Sequence, residues 1–124
     1  MSEKTISQKL QVKGARRIAI LHAPYADTGH IAAPGQTTTM EAADVILLFT
    51  PNRPQFTERL TAVLAKSRPD SILWVAYPKL TSRLRGDLSR DLIHDLVPEY
   101  GLDTVSQIAI DDDWSALRLK RAGP

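Results

Sequence analysis

Only three residues, Asp111-Asp112-Asp113, separate two runs of alternating character near the end of the chain. In the first run, 104–110, Ser106, Ile108 and Ile110 alternate with Val105, Gln107 and Ala109. In the second, 114–120, Ser115, Leu117 and Leu119 oppose Trp114, Ala116, Arg118 and Lys120. A period of two is the pattern of a strand whose two faces meet different surroundings. A parallel crossover needs about a dozen residues or more, so so short a link makes these two strands an antiparallel hairpin. Whatever precedes them must build a sheet onto which that hairpin can close.

Three earlier runs read as buried strands: Arg17-Ile18-Ala19-Ile20-Leu21-His22, Val45-Ile46-Leu47-Leu48-Phe49 and Ser71-Ile72-Leu73-Trp74-Val75-Ala76-Tyr77. Nearly continuous apolar runs of this length belong to strands covered on both faces, as in parallel sheets. Between the second and third, Phe56, Leu60, Val63 and Leu64 share one stripe of a helix. Pro54 stands in its first turn, Asn52 or Arg53 near its cap, and Pro69 beyond its end. After the third strand, Asp87 is the expected cap of a second helix with Leu88, Leu92, Ile93, Leu96 and Val97 on one face. Pro98 closes it and Gly101 supplies a left-handed exit. The first fifteen residues read as a short lead-in in which Ile6, Leu10 and Val12 form a helical turn or two ended by Gly14. Residues 23–44 are irregular, with room for one helical turn near Ala26–Ala33 and a short extended piece at Thr37–Met40. The expected fold is a single α/β domain, 1–124, a three-layer α/β/α sandwich with a mostly parallel sheet ending in an antiparallel hairpin.

Composition narrows the classes of function. A chain of 124 residues with no cysteine has no disulfide, no thiolate nucleophile and no Cys-ligated zinc, which suits a reducing cytosol. No apolar run approaches the ~20 residues of a membrane span, and the opening MSEKTISQKLQVKGARR has charges where a signal peptide has its apolar core. A soluble cytoplasmic protein with no membrane partner is expected. The net charge of +2 is far from a nucleic-acid footprint. Two basic groups stand out, Lys79 with Arg83 and Arg85, and Arg118 with Lys120 and Arg121.

The phrases LWVAYPK, GDLSRDL and VSQIAIDDDWSALRLKR resemble a family of small bacterial proteins known only as a domain of unknown function. That resemblance covers the last half of the chain and brings no established activity. The order strand, helix, strand, helix, hairpin is more distantly similar to the second half of a class I S-adenosylmethionine-dependent methyltransferase, a Rossmann-like fold whose last strand inserts antiparallel. The resemblance implies a reduced methyltransferase-like domain. It departs where cofactor is bound in such folds, since the first strand runs into His22-Ala23-Pro24-Tyr25 in place of a Gly-rich turn. An acidic residue for the ribose hydroxyls is also missing from the expected place, with only Glu41 near it. No cofactor is therefore expected.

Each buried strand is followed by a proline, in Ala23-Pro24-Tyr25, Thr50-Pro51-Asn52 and Tyr77-Pro78-Lys79. If the strands are parallel, these loops share the C-terminal rim of the sheet, where open α/β folds bind ligands. The candidate rim groups are His22, Tyr25, Asn52, Tyr77 and Lys79, with Ser82, Arg83 and Arg85 in reach. They outline a cleft for an anionic or nucleotide-like ligand, unless the prolines merely stop strands and the polar groups are solvated. The three aspartates read as a turn, because adjacent carboxylates do not converge on one cation. Asp87, Asp91 and Asp95 read as a solvated helix face. His22, His30 and His94 lack ligand spacing, so no metal site is expected. Trp74 reads as core, and Trp114 as packing or an interface anchor.

Three functional readings follow in order of preference. The first is a non-catalytic module that binds a small ligand or a partner protein. The second is a nucleotide- or S-adenosylmethionine-binding enzyme using the rim. The third, a weak nucleic-acid-binding accessory protein, requires both basic groups to share one face. The open edge left by the hairpin also admits a homodimer.

Overall fold

The computed structural model describes residues 5–122, so the lead-in is described from Thr5 onward. Strand β1 (Ile18–Leu21), β2 (Val45–Phe49) and β3 (Ile72–Pro78) are parallel neighbours, and the hairpin β4 (Leu102–Ala109) and β5 (Trp114–Arg121) completes a five-stranded sheet in the order β1-β2-β3-β5-β4. β5 runs antiparallel to both β3 and β4, with Tyr77 opposite Ser115 and Leu73 opposite Leu119. β4 is thereby parallel to β1, β2 and β3, and the last strand is inserted between its predecessor and the parallel set.

The helices are α1 (Ile6–Lys9), α2 (Arg53–Lys66) and α3 (Arg90–Leu96), with 3₁₀ turns at Pro34–Gln36, Met40–Ala42 and Val97–Tyr100. α2 starts where the Asn52 side chain accepts from the Gln55 amide at 3.0 Å, with Pro54 in its first turn. It buries Phe56, Leu60 and Val63, three of the four residues of the expected stripe. The α3 cap is Ser89, whose hydroxyl accepts from the Leu92 amide. Asp87, expected there, instead accepts from the Arg53 amide at 2.7 Å and ties this loop to the start of α2. Gly101 takes the left-handed exit at φ 73°. α1 ends earlier than Gly14, at Leu10, because Gln11 itself turns left-handed at φ 74°.

The chain advances in one direction across the sheet from β2 to β3 and on to β4. Right-handed crossovers then put α2 and α3 on the same face. That face holds one core: Ile46 and Leu48 of β2, Leu73, Val75 and Tyr77 of β3, and Leu117 and Leu119 of β5, against Phe56, Leu60 and Ile93. The other face holds a second core of Val45, Leu47, Phe49, Trp74 and Ala116. Alternate residues of β2 thus serve opposite cores, which is why the whole strand is buried. The third layer expected over this second face is one helical turn and a loop. Leu10, Val12, Ile31 and Ala32 fill it, and the buried Trp74 indole donates to the Leu10 carbonyl at 3.0 Å. A single turn at Thr28–Ala32 closes the loop, and Thr37 bridges the outer edge of β1.

At the base of the sheet Asp44 accepts from the Arg17 amide at 2.9 Å and from Arg68 at 2.7 Å. These two donors hold its carboxyl below the usual carboxylate range. Among the described residues no helix is long and apolar enough to cross a membrane. Replacing the fully buried Leu60 by alanine should cost about 2–5 kcal/mol in urea unfolding. Val105→Ala, at an exposed site on β4, should cost less than about 0.5 kcal/mol. Equal small losses would mean that α2 is not seated on the sheet.

Candidate functional site

Because β1, β2 and β3 are parallel, their three proline-marked exits do share one rim. The parallel course of β4 adds a fourth component, the turn Asp111-Asp112-Asp113. The rim is held together by this turn. The Lys79 amide donates to the Asp113 carbonyl at 2.8 Å, and the buried Ser82 hydroxyl donates to the Asp113 carboxylate at 2.7 Å. Asp111 Oδ1 accepts from the amides of Asp113 and Trp114, closing the turn as expected of aspartate. Its Oδ2 accepts from the Tyr25 hydroxyl.

The candidate residues divide into two groups. Over β1 and β2 the rim is filled by the protein itself. The Tyr25 ring stands edge-on to His30 at 4.5 Å and to Phe49 at 5.6 Å, and Phe49 in turn meets Trp114 at 5.0 Å. Burial, reinforced by the Asp111 carboxylate, pushes the Tyr25 hydroxyl pKa well up. Burial would raise Asp111, but the Tyr25 hydroxyl, the two turn amides and His30 outweigh it and hold the carboxyl below its ordinary 3.8. Asn52 is spent as the α2 cap. His22 is exposed in a left-handed turn at φ 57°, where partial desolvation and the Arg59 guanidinium lower its pKa. Arg83 and Arg85 project from an exposed loop. That loop lies close to its neighbour, for a Cβ at Gly86 would meet the Pro51 carbonyl at 3.0 Å.

Tyr77 and Lys79 belong elsewhere. They line a cleft of about 460 Å³ between the rim, α3 and the hairpin, together with Ser89, Arg90, Gln107 and Ser115. Tyr77 and Ser115 face each other across β3 and β5, and each is almost wholly buried, at 4% and 5% exposure. No hydrogen bond joins either hydroxyl to another described residue, and neither oxygen is among the buried atoms left without a partner, so both open on the cleft. Burial raises the Tyr77 pKa, keeping the hydroxyl protonated and a donor. Lys79 and Arg90 supply positive charge, and Asp91, 3.7 Å from Arg90, offsets part of it.

Sequence reasoning found Tyr77 and Lys79 and missed Ser115, Arg90 and Gln107. These come from α3 and the hairpin, which only the insertion of β5 brings beside β3. One signal was available: Ser115 shares the face of Leu117 and Leu119, a polar residue in an otherwise apolar register. The two basic groups lie at opposite ends of the β3–β5 pair, since Arg118 is opposite Trp74 while Pro78 is opposite Trp114. Among the described residues no three histidine or acidic side chains are grouped to hold a metal ion.

The sheet, parallel strands followed by a hairpin whose last strand is inserted antiparallel, defines a methyltransferase-like α/β domain. A solved structure, LepI in complex with SAM, matches it with a TM-score of 0.53 at 13% identity, over 94% of this chain and 39% of that one. At that identity the likeness is one of fold, and the chain spans well under half of the LepI chain. No protein-family model matches the chain, and no curated protein matches it in sequence.

Removing the Tyr25 hydroxyl in Tyr25→Phe should cost about 1 kcal/mol at neutral pH, as it deprives a carboxylate of a donor. The contribution of Asp111 is whole above its unfolded value of 3.8 and is lost as pH falls through the lower folded value. Wild type and Tyr25→Phe should therefore converge in urea unfolding toward about pH 2. A gap unchanged down to that pH would show that the hydroxyl does not serve an ionised carboxylate.

Proposed function

We propose that this chain is a non-catalytic module that binds a small anionic ligand in the cleft between β3, α3 and the hairpin. The observation that carries the reading is the facing pair Tyr77 and Ser115, whose hydroxyls open on the cleft beside Lys79 and Arg90 with no hydrogen bond to another described residue. Hydroxyls that open on a cleft without a partner in the protein are free to complete hydrogen bonds with a ligand. Charge-assisted bonds from lysine and arginine to a phosphate or carboxylate are the strong ones in such a setting. Binding rather than turnover is supported by how the rim acids are engaged. Asp87 holds the Arg53 amide, Asp111 holds Tyr25 and its own turn, and Asp113 holds Ser82. In this reading the chain is a reduced methyltransferase-like domain, related to the uncharacterised bacterial family through its second half, and works in the cytoplasm.

A second reading is favoured by the fold neighbour, whose structure holds SAM. It places a nucleotide-like cofactor at the rim over β1 and β2. Tyr25 and its stack on Phe49 stand there, and a ligand would have to displace the Tyr25–Asp111 pair to enter.

The two readings separate in a thermal-shift screen against inorganic phosphate, nucleotides, S-adenosylmethionine and S-adenosylhomocysteine. A ligand at ~100 times its dissociation constant should add roughly 2.7 kcal/mol, several degrees for a domain of this size. Tyr77→Phe should leave the free protein within about 0.5 kcal/mol of wild type yet weaken an anionic hit up to roughly tenfold. Lys79→Ala should weaken it further. A hit lost in Tyr25→Phe but untouched by Tyr77→Phe would instead favour the rim over β1 and β2.

A further inference from the structure

We infer that the cleft is one half of a two-lobed groove shaped for a nucleoside phosphate, with the phosphate between Lys79 and Arg90 and the base against His94, Val105 and Leu117. This rests on the anion-binding reading above and adds the rest of the ligand to it.

A second cavity, of about 320 Å³, lies along α3 over the edge strand and is lined by His94, Thr104, Val105, Ser106 and Leu117. It shares Arg90, Asp91 and Gln107 with the first, so the two meet across those three residues. From Trp114, which stands opposite Pro78, to Leu119, which stands opposite Thr104, β5 advances five residues, or roughly 17 Å. The joined groove is therefore long and narrow, unlike a site for a free inorganic anion.

The chemistry changes along that length. Two cations and two hydroxyls sit at the rim end. Asp91 stands at the waist as an acceptor, the group that sugar hydroxyls require. Beyond it lies a ring, His94, whose Nδ1 is engaged by the Thr104 hydroxyl at 2.7 Å, which fixes the orientation of the imidazole. Val105 and Leu117 add apolar surface, and Ser106 and Gln107 add donors and acceptors. A ring and apolar side chains for the face of a base, with hydrogen-bonding groups for its edge, are what nucleobases are recognised by. A long apolar tail would leave the polar groups of this lobe unpaired.

A break in the strand shapes this second lobe. The register of β4 against β5 shifts between Thr104 and Gln107. A regular strand turns alternate residues to opposite faces, whereas here the consecutive residues Thr104, Val105, Ser106 and Gln107 all border one cavity. Bulges re-aim side chains in this way beside binding sites, and they also blunt an open edge against pairing with a second strand.

Isothermal titration of the intact protein with inorganic phosphate, ribose phosphate and the four ribonucleoside monophosphates tests the inference. At least one nucleoside monophosphate should bind roughly tenfold or more tightly than either smaller anion. His94→Ala should erase that advantage while leaving phosphate binding as it was, and Lys79→Ala should weaken all of them. In amide-resolved NMR the nucleotide should shift residues 79–81 and 104–107, and phosphate only the first group. Phosphate binding at Lys79 with no advantage for any nucleotide would overturn the two-lobed groove and leave the anion site standing. Nucleotide shifts confined to residues 79–81, or an advantage that survives His94→Ala, would overturn the placing of the base. No binding of any probe would overturn both readings together.

Discussion

The antiparallel insertion of β5 between β3 and β4 is the constraint on which the rest of this structure depends. Its backbone bonds join the parallel strands to the hairpin, and its side chains divide between the two cores, Leu117 and Leu119 to one, Trp114 and Ala116 to the other. The same insertion carries the aspartate turn to the rim where β1, β2 and β3 end. There Asp113 receives Lys79 and Ser82, and Asp111 receives Tyr25. Two loops that are far apart in the chain are thus fastened to one short turn.

That fastening has an electrostatic logic. Three adjacent carboxylates repel one another, and an exposed acidic turn by itself contributes little to stability. Two of the three are instead given donors, from backbone amides, a serine and a tyrosine, so the charge is spent on holding the rim closed over Phe49. At the opposite end of the sheet Asp44 acts similarly, joining the start of β1 to the end of α2 through the Arg17 amide and Arg68. With both ends tied and β2 buried along its length, the cleft between β3, α3 and the hairpin is the cavity of the helix-bearing face that opens at the rim.

Much of the fold was legible because it follows from local pattern. The closing hairpin, the continuous apolar strands, the α2 stripe from Phe56 to Val63 and the left-handed Gly101 are found where they were expected, whereas the alternation expected over 104–110 belongs to a strand that starts at Leu102 and is interrupted by the register shift between Thr104 and Gln107. The α3 cap was not, because Asp87 and Ser89 are both good caps and their choice depends on a distant partner, the Arg53 amide. The helix layer expected on the second face was not either. Right-handed crossovers that all advance in one direction leave only α1 and the 22–33 loop for that side, and the direction of advance is a property of strand order. Of the candidate rim, Tyr77 and Lys79 keep unspent groups in a cleft, while Tyr25 and Asn52 are taken up by Asp111 and Gln55, partners that no spacing announces for Tyr25.

By itself the sequence determined which segments are strands and helices, that three strands are buried on both faces, and that the last two form a hairpin. These are consequences of side-chain periodicity and of how far three residues can reach. Only the tertiary structure decided that β5 enters between β3 and β4, that Tyr77 and Ser115 meet across it, and that Arg90 and Gln107 border the same cleft. The reason is that strand order is set by which surfaces bury best against one another, a property of the assembled sheet that no stretch of chain carries alone.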